Sequence, residues 1–159
     1  MTELKRLRLQ KRISQREASE RIGVSLRTYV TYENDASKER TAKYRFLLSE
    51  IVAMNSVDEE HGVLAFEDIQ RGCAEVLARY PVEYCILFGS YARGGASEKS
   101  DVDLVLGGTV TGLQFFEIAE LLRENLQKKI DLLDIKQLVG NEQLLSEVLK
   151  DGKRVYGKQ

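Results

Sequence analysis

Two cysteines, one histidine and one proline in 159 residues remove several architectures at the outset. Two thiols cannot build the disulfide framework of a small secreted domain. Cys73 and Cys85 fall on the apolar faces of an expected helix and strand, and are read as buried free thiols of a reducing compartment. The lone histidine, His61, has no Cys or His neighbour and reads as a surface residue rather than a metal ligand. No apolar run approaches the roughly 20 residues that span a bilayer. Residues 1–6 also lack the apolar core of a signal peptide, so a cytoplasmic protein with no membrane partner is expected. What is present, 43% hydrophobic and 31% charged residues, suits a globular chain of one mid-sized or two small domains.

The charge is unevenly spread. Residues 1–55 carry twelve Lys and Arg against seven Asp and Glu, a net +5, and the remainder carries twelve against eighteen, a net −6. A basic N-terminal third on an acidic body points to two domains with different partners.

In the basic third, residues 4–12 read as a helix with Leu4 and Leu7 inward and Arg6, Arg8 and Lys11 toward solvent. Ser14 followed by Glu17 is a capping-box pattern opening a second helix, Gly23 supplies its turn, and Ser25 caps a third over residues 26–33. Two short helices joined by a glycine turn form a helix-turn-helix pattern. Arg27, Thr28 and Thr31 lie on the outer, N-terminal part of the third helix, from which base edges are reached. Gln15 and Arg16, at the start of the second, are placed for phosphate contacts. Tyr44, Leu47, Leu48, Ile51 and Met54 repeat at helical spacing after Thr41, and residues 55–62 form the expected linker.

Over about 50 residues this stretch resembles the repressor-like (XRE-type) helix-turn-helix family, in Ile13-Ser14-Gln15-Arg16-Glu17-Ala18-Ser19-Glu20-Arg21-Ile22-Gly23-Val24-Ser25 and in Tyr29-Val30-Thr31-Tyr32-Glu33-Asn34. Ser19 and Leu26 depart from the residues usual there, a small alanine and a polar base reader. The resemblance implies binding of double-stranded operator DNA through residues 1–58.

In the acidic body, Phe66, Ile69, Cys73, Val76, Leu77 and Tyr80 mark a helix ended by Pro81. Residues 82–88 and 101–106 read as strands, and residues 113–127 as a helix with Phe116, Ala119, Leu122 and Leu126 in register. A strand over 130–135, a helix over 138–150 and an edge strand at 154–156 complete the expectation.

The chemistry centres on residues 88–104. Gly89 closes a buried strand, where a missing Cβ lets backbone N–H groups approach a phosphate. Ser90 adds a hydroxyl, a short helix starting here turns its positive end to the same place, and Arg93 stands one turn on. Ten residues after Ser90, Asp101 and Asp103 alternate with the aliphatics Val102 and Leu104, so both carboxylates emerge on one face of a strand. Paired carboxylates repel unless a cation lies between them, and hard oxygen ligands suit Mg²⁺.

Gly-Ser-Tyr-Ala-Arg-Gly followed by Ser-Asp-Val-Asp-Leu resembles the DNA-polymerase-β-like nucleotidyltransferases, and within them the minimal nucleotidyltransferase (MNT) group, over residues 63–159. The resemblance implies an α+β chain: an all-α helix-turn-helix domain, residues 1–58, then a nucleotidyltransferase domain, residues 59–159, with a mixed β-sheet flanked by helices. It also implies two Mg²⁺ ions and ATP as substrate, with Gly89, Ser90 and Arg93 on the nucleotide and Asp101 and Asp103 on the metals. A third carboxylate joins one metal and activates the acceptor hydroxyl. Asp131 and Asp134 both sit between aliphatics and, three apart, face opposite sides of a strand. The family's order, acid first and aliphatics after, favours Asp131.

Only 28 residues follow Asp131, too few for the helical acceptor domain of the aminoglycoside-modifying relatives. The acceptor site is therefore expected to be completed by another protein, or by a second copy of this chain in a homodimer. MNT proteins are typically partnered by HEPN-family ribonuclease toxins, and some adenylylate a toxin tyrosine, so the resemblance implies an antitoxin that also represses its own operon. Two alternatives stand beside it: a non-catalytic toxin-binding antitoxin and repressor, and a nucleotidyltransferase acting on a small molecule such as an antibiotic.

Overall fold

A computed structural model describes residues 1–55 and 57–157, which fall into two compact units, Met1–Ser56 and Val57–Gln159. The expected linker begins at Asn55, and its Ser56 lies outside the described residues.

The first unit is all helical: α1 (Glu3–Gln10), α2 (Gln15–Ile22), α3 (Leu26–Asn34) and α4 (Ala42–Ala53). Short polar side chains set the boundaries, with Thr2, Ser14, Ser25 and Thr41 each accepting a hydrogen bond from an N–H of the following first turn. Gly23 ends α2 at φ +80°, a left-handed conformation that is cheap only for glycine. Leu4, Ile13, Ala18, Tyr29, Tyr44, Leu47 and Ile51 close one small core.

Arg8 does not face solvent as its spacing suggested. It is buried and forms a bidentate ion pair with the fully buried Glu33, Nε to Oε2 at 2.7 Å and Nη2 to Oε1 at 2.9 Å, while Nη1 donates to the Ile13 carbonyl. Burial opposes the Glu33 charge, but Arg8 and then Gln15 outweigh it and hold the carboxyl below its ordinary range. This charged clamp ties α1 to α3, and Thr2 strengthens it by donating to the Glu33 carbonyl at 2.5 Å.

The second unit is a four-stranded mixed sheet between helices. Its elements are α5 (Phe66–Leu77), β1 (Val82–Phe88), α6 (Gly89–Arg93), β2 (Val102–Gly108), α7 (Gly112–Leu126), β3 (Ile130–Asp134), α8 (Glu142–Asp151) and β4 (Lys153–Gly157). The strand order is β3-β2-β1-β4, with β1 antiparallel to β2 and β4, and β2 parallel to β3. The parallel pair requires a crossover, which α7 supplies. Val102, Leu104, Leu106 and Leu132 meet Ile69, Cys73, Ile118 and Leu122 in the main core. On the other side Phe88, Val105, Leu138 and Val148 form a smaller cluster. Both cysteines are buried and free. No helix among the described residues is long and apolar enough to cross a membrane.

Three details depart from the sequence reading. Ala119, Leu122 and Leu126 of α7 pack inward as expected, joined by Phe115 and Ile118, but Phe116, expected with them, is 73% exposed. The last helix starts at Glu142 because Gly140, at φ +82°, breaks a 3-10 turn (Ile135–Leu138) from it and Asn141 caps the new start. The helix before Pro81 ends at Leu77, four residues ahead of the proline.

Candidate active site

The turn from β1 into α6 is built for close approach. Gly89 sits at φ +70°, and a Cβ there would collide with the Asp103 carboxylate, so the position demands glycine twice over. α6 has only five residues and Phe88 gives it no side-chain cap. So short a helix carries little macrodipole, and the local backbone N–H groups of this turn are what it offers an anion. Tyr91 and Ala92 anchor it in the core, while the Arg93 guanidinium is half-exposed and lies 3.8 Å from Asp151 of α8.

The carboxylates converge through strand register. Parallel pairing sets Asp103 of β2 opposite Asp131 of β3, and Asp101 stands one residue ahead of β2. Val102 and Leu104, pointing to the other face, are fully buried and fix that orientation. Asp103 is half-buried, and its carboxyl is raised to about 6, first by desolvation and then by the nearby charges of Asp131 and Asp101. Arg93 pulls it back down, and Glu147 of α8 pushes it further up. Asp134 takes no part: it lies opposite Leu106, and its side chain accepts from the Lys136 N–H, capping the 3-10 turn.

Among the described residues no three His, Cys, Asp or Glu side chains form a ready-made cage for an ion. Mg²⁺ needs none, since it is ordinarily held by one or two carboxylates, with waters and substrate phosphates completing its octahedron. An all-oxygen donor set in which one member resists ionisation until a cation arrives fits that ion.

Beside Asp101 and Asp131 a cleft of about 470 Å³ opens, lined also by Phe116, Ala119, Glu120 and Arg123 of α7 and by Lys129 and Ile130. Phe116 packs edge-on against Phe115, with ring centroids 6.0 Å apart at 84°. The expected helix stripe had assigned Phe116 to the core, which hid its place at this cleft.

In the first unit Arg16, Arg27 and Thr31 are exposed, and Thr28 is partly so, with its hydroxyl accepting from Ser25 at 2.9 Å. The Gln15 side-chain amide, expected to face a phosphate, instead donates to Glu33 at 2.9 Å.

A glycine turn and paired aspartates at the edge of a mixed sheet define a nucleotidyl-transferring enzyme. The chain belongs to the polymerase β nucleotidyltransferase family: the model described as "Polymerase beta, Nucleotidyltransferase" matches residues 71–159. A helix-turn-helix family model matches residues 4–42. A Methanocaldococcus jannaschii protein, inferred by name to be a protein adenylyltransferase, is 35% identical over 88 residues, covering 54% of this chain and 89% of that protein. The protein adenylyltransferase MntA of Shewanella oneidensis is 31% identical over 75 residues, covering 46% of this chain and 52% of its own length. Among solved structures, a toxin–antitoxin crystallised with AMP-PNP aligns at a TM-score of 0.47 and 26% identity, covering 60% of this chain and 76% of that one.

Proposed function

We propose that this chain is a cytoplasmic enzymatic antitoxin that transfers AMP from ATP to a tyrosine of a partner HEPN-family ribonuclease toxin. The observation that carries the reading is the register that sets Asp131 beside Asp103, with Asp101 adjoining, next to the Gly89 turn. The adenylyltransferase names of its relatives supply the nucleotide and the protein acceptor.

Gly89, Ser90 and Arg93 hold the triphosphate, orienting its α-phosphorus toward the aspartates. Asp101, Asp103 and Asp131 would hold two Mg²⁺ ions, which when bound neutralise charge on the attacking and leaving oxygens. The acceptor enters by the α7 cleft, and Asp131 takes the proton of its hydroxyl. The hydroxyl oxygen bonds to the α-phosphorus, the α–β phosphoanhydride bond breaks, and pyrophosphate leaves on the Ser90 side. Residues 1–58 bind the operator of their own operon through Arg16, Arg27, Thr28 and Thr31.

The test is intact mass spectrometry of the toxin encoded beside this chain, incubated with it, ATP and Mg²⁺. One AMP is expected on a toxin tyrosine, and Asp101→Ala abolishes the gain. An active cognate toxin that gains no mass, or an Asp101→Ala chain that still neutralises it, refutes the enzymatic reading. For the N-terminal domain, a salt-dependent mobility shift with the upstream region is expected, and removal of residues 1–58 loses it.

A further inference from the structure

Lys128 is a charged side chain placed where charge is costly: it is 0% exposed. Lysines are almost never fully buried without partners, and this one has them. Its Nζ donates to the carbonyl of Glu98 and to that of His61, the latter at 3.2 Å. Gln127, in the left-handed conformation at φ +57°, ends α7 immediately before Lys128.

The Glu98 carbonyl lies three residues ahead of Asp101, in the loop between α6 and β2. A tight turn relays its position, with the Ser97 N–H donating to Ser100 Oγ at 2.8 Å and the Ser100 N–H to the Ser97 carbonyl at 3.0 Å. On the other side of Asp101, the Val102 N–H donates to the Lys129 carbonyl at 2.9 Å. Asp101 is thus bracketed by bonds to two consecutive residues, 128 and 129, and Asp131 follows two residues later on β3. One short segment, residues 128–131, is therefore tied to the chain on both sides of Asp101 and carries Asp131.

We propose that Lys128 is a positioning residue that holds Asp101 at the carboxylate cluster and thereby sets the affinity for the divalent cation. The inference rests on Asp101 being a metal ligand. An ammonium suits the task because one atom donates to several carbonyls at once, whereas a methionine of similar length fills the space and leaves the loop untied.

The experiment is Mn²⁺ binding to the full chain, followed by loss of the free-ion EPR signal, with and without a non-hydrolysable ATP analogue. Wild type, Lys128→Met, Lys128→Arg and Asp101→Ala are compared well below their melting temperatures. Lys128→Met should weaken Mn²⁺ binding about tenfold, the scale on which groups behind metal ligands act. Lys128→Arg, which keeps the charge and the donors, should recover most of it. Mn²⁺ affinity within twofold of wild type in Lys128→Met overturns the proposal, provided that Asp101→Ala weakens binding. If Asp101→Ala leaves binding intact, it is the assignment of the metal site that fails, and Lys128 falls with it. Should Lys128→Met not fold, Lys128→Gln is read in its place, and if neither folds the residue is structural and the proposal is refuted.

Discussion

Replacing Asp103 by asparagine should stabilise residues 57–159 in metal-free buffer at pH 8 while abolishing nucleotide transfer. The Asp103 carboxyl is raised to about 6 by burial and by Asp131 and Asp101. From an ordinary value near 4, that displacement corresponds to about 3 kcal/mol of disfavoured ionisation at full strength. Asp103 is only half-buried, and solvent screening leaves about 1–1.5 kcal/mol. The sign follows from proton counting. Between about pH 4 and pH 6 the folded chain binds more protons than the unfolded one, so stability falls as pH rises through that window and levels off above it. The asparagine variant escapes the penalty. Its advantage should be absent below about pH 4, near half its full size at pH 5, and complete at pH 8, where it raises the melting temperature by about 4–10 °C. Thermal unfolding followed by circular dichroism in EDTA at pH 5 and pH 8 measures it. A gain equal at both pH values, or none at pH 8, refutes the account of a strained carboxylate cluster. Mg²⁺ should then raise the melting temperature of wild type and leave that of Asp103→Asn nearly unmoved.

Three further outcomes are expected. Gly89→Ala places a Cβ against the Asp103 carboxylate at a positive φ, so ATP affinity, read by isothermal titration, should fall at least tenfold. Glu33→Ala leaves Arg8 buried and unpaired, at a cost of about 3–5 kcal/mol. That is comparable with the whole stability of a 56-residue unit. Helical signal and DNA binding should be lost together, while nucleotide transfer by residues 57–159 persists. Arg27→Ala should weaken operator binding, with the slope of log affinity against log salt reduced by about one if Arg27 meets a phosphate and unchanged if it reads a base.

Local rules made much of this chain legible. Short-range chemistry placed the helix starts, because Ser14, Ser25 and Thr41 act on N–H groups only three residues away. Strand parity put Asp131 and Asp134 on opposite faces and the family's residue order favoured Asp131; in the fold Asp131 pairs with Asp103, while Asp134 lies opposite Leu106 and caps its own turn. What escaped was contact at a distance. Arg8 and Glu33 are 25 residues apart, and nothing local distinguishes a paired arginine from a solvated one. Phe116 departs from its stripe because Phe115 and Phe116 are adjacent at the margin of one apolar face that both could extend, and docking on the sheet takes Phe115. Lys128 sits in a polar run after a helix, where a surface position is the natural assumption.

The second bond of that lysine bears on how the chain can be taken apart. His61 gives its carbonyl to Lys128, its ring nitrogen Nδ1 meets Asp58 at 2.9 Å, and the neighbouring Gly62 N–H donates to the Glu98 side chain at 3.2 Å. Residues 58–62, which read as connecting tissue, are therefore a rib of the catalytic unit. A fusion or excision made ahead of Asp58 keeps all of these bonds, whereas one made at Val63, still ahead of the residues 71–159 that match the nucleotidyltransferase family, removes one of the two carbonyls that satisfy a buried ammonium and should yield a fragment less stable than the unit it came from.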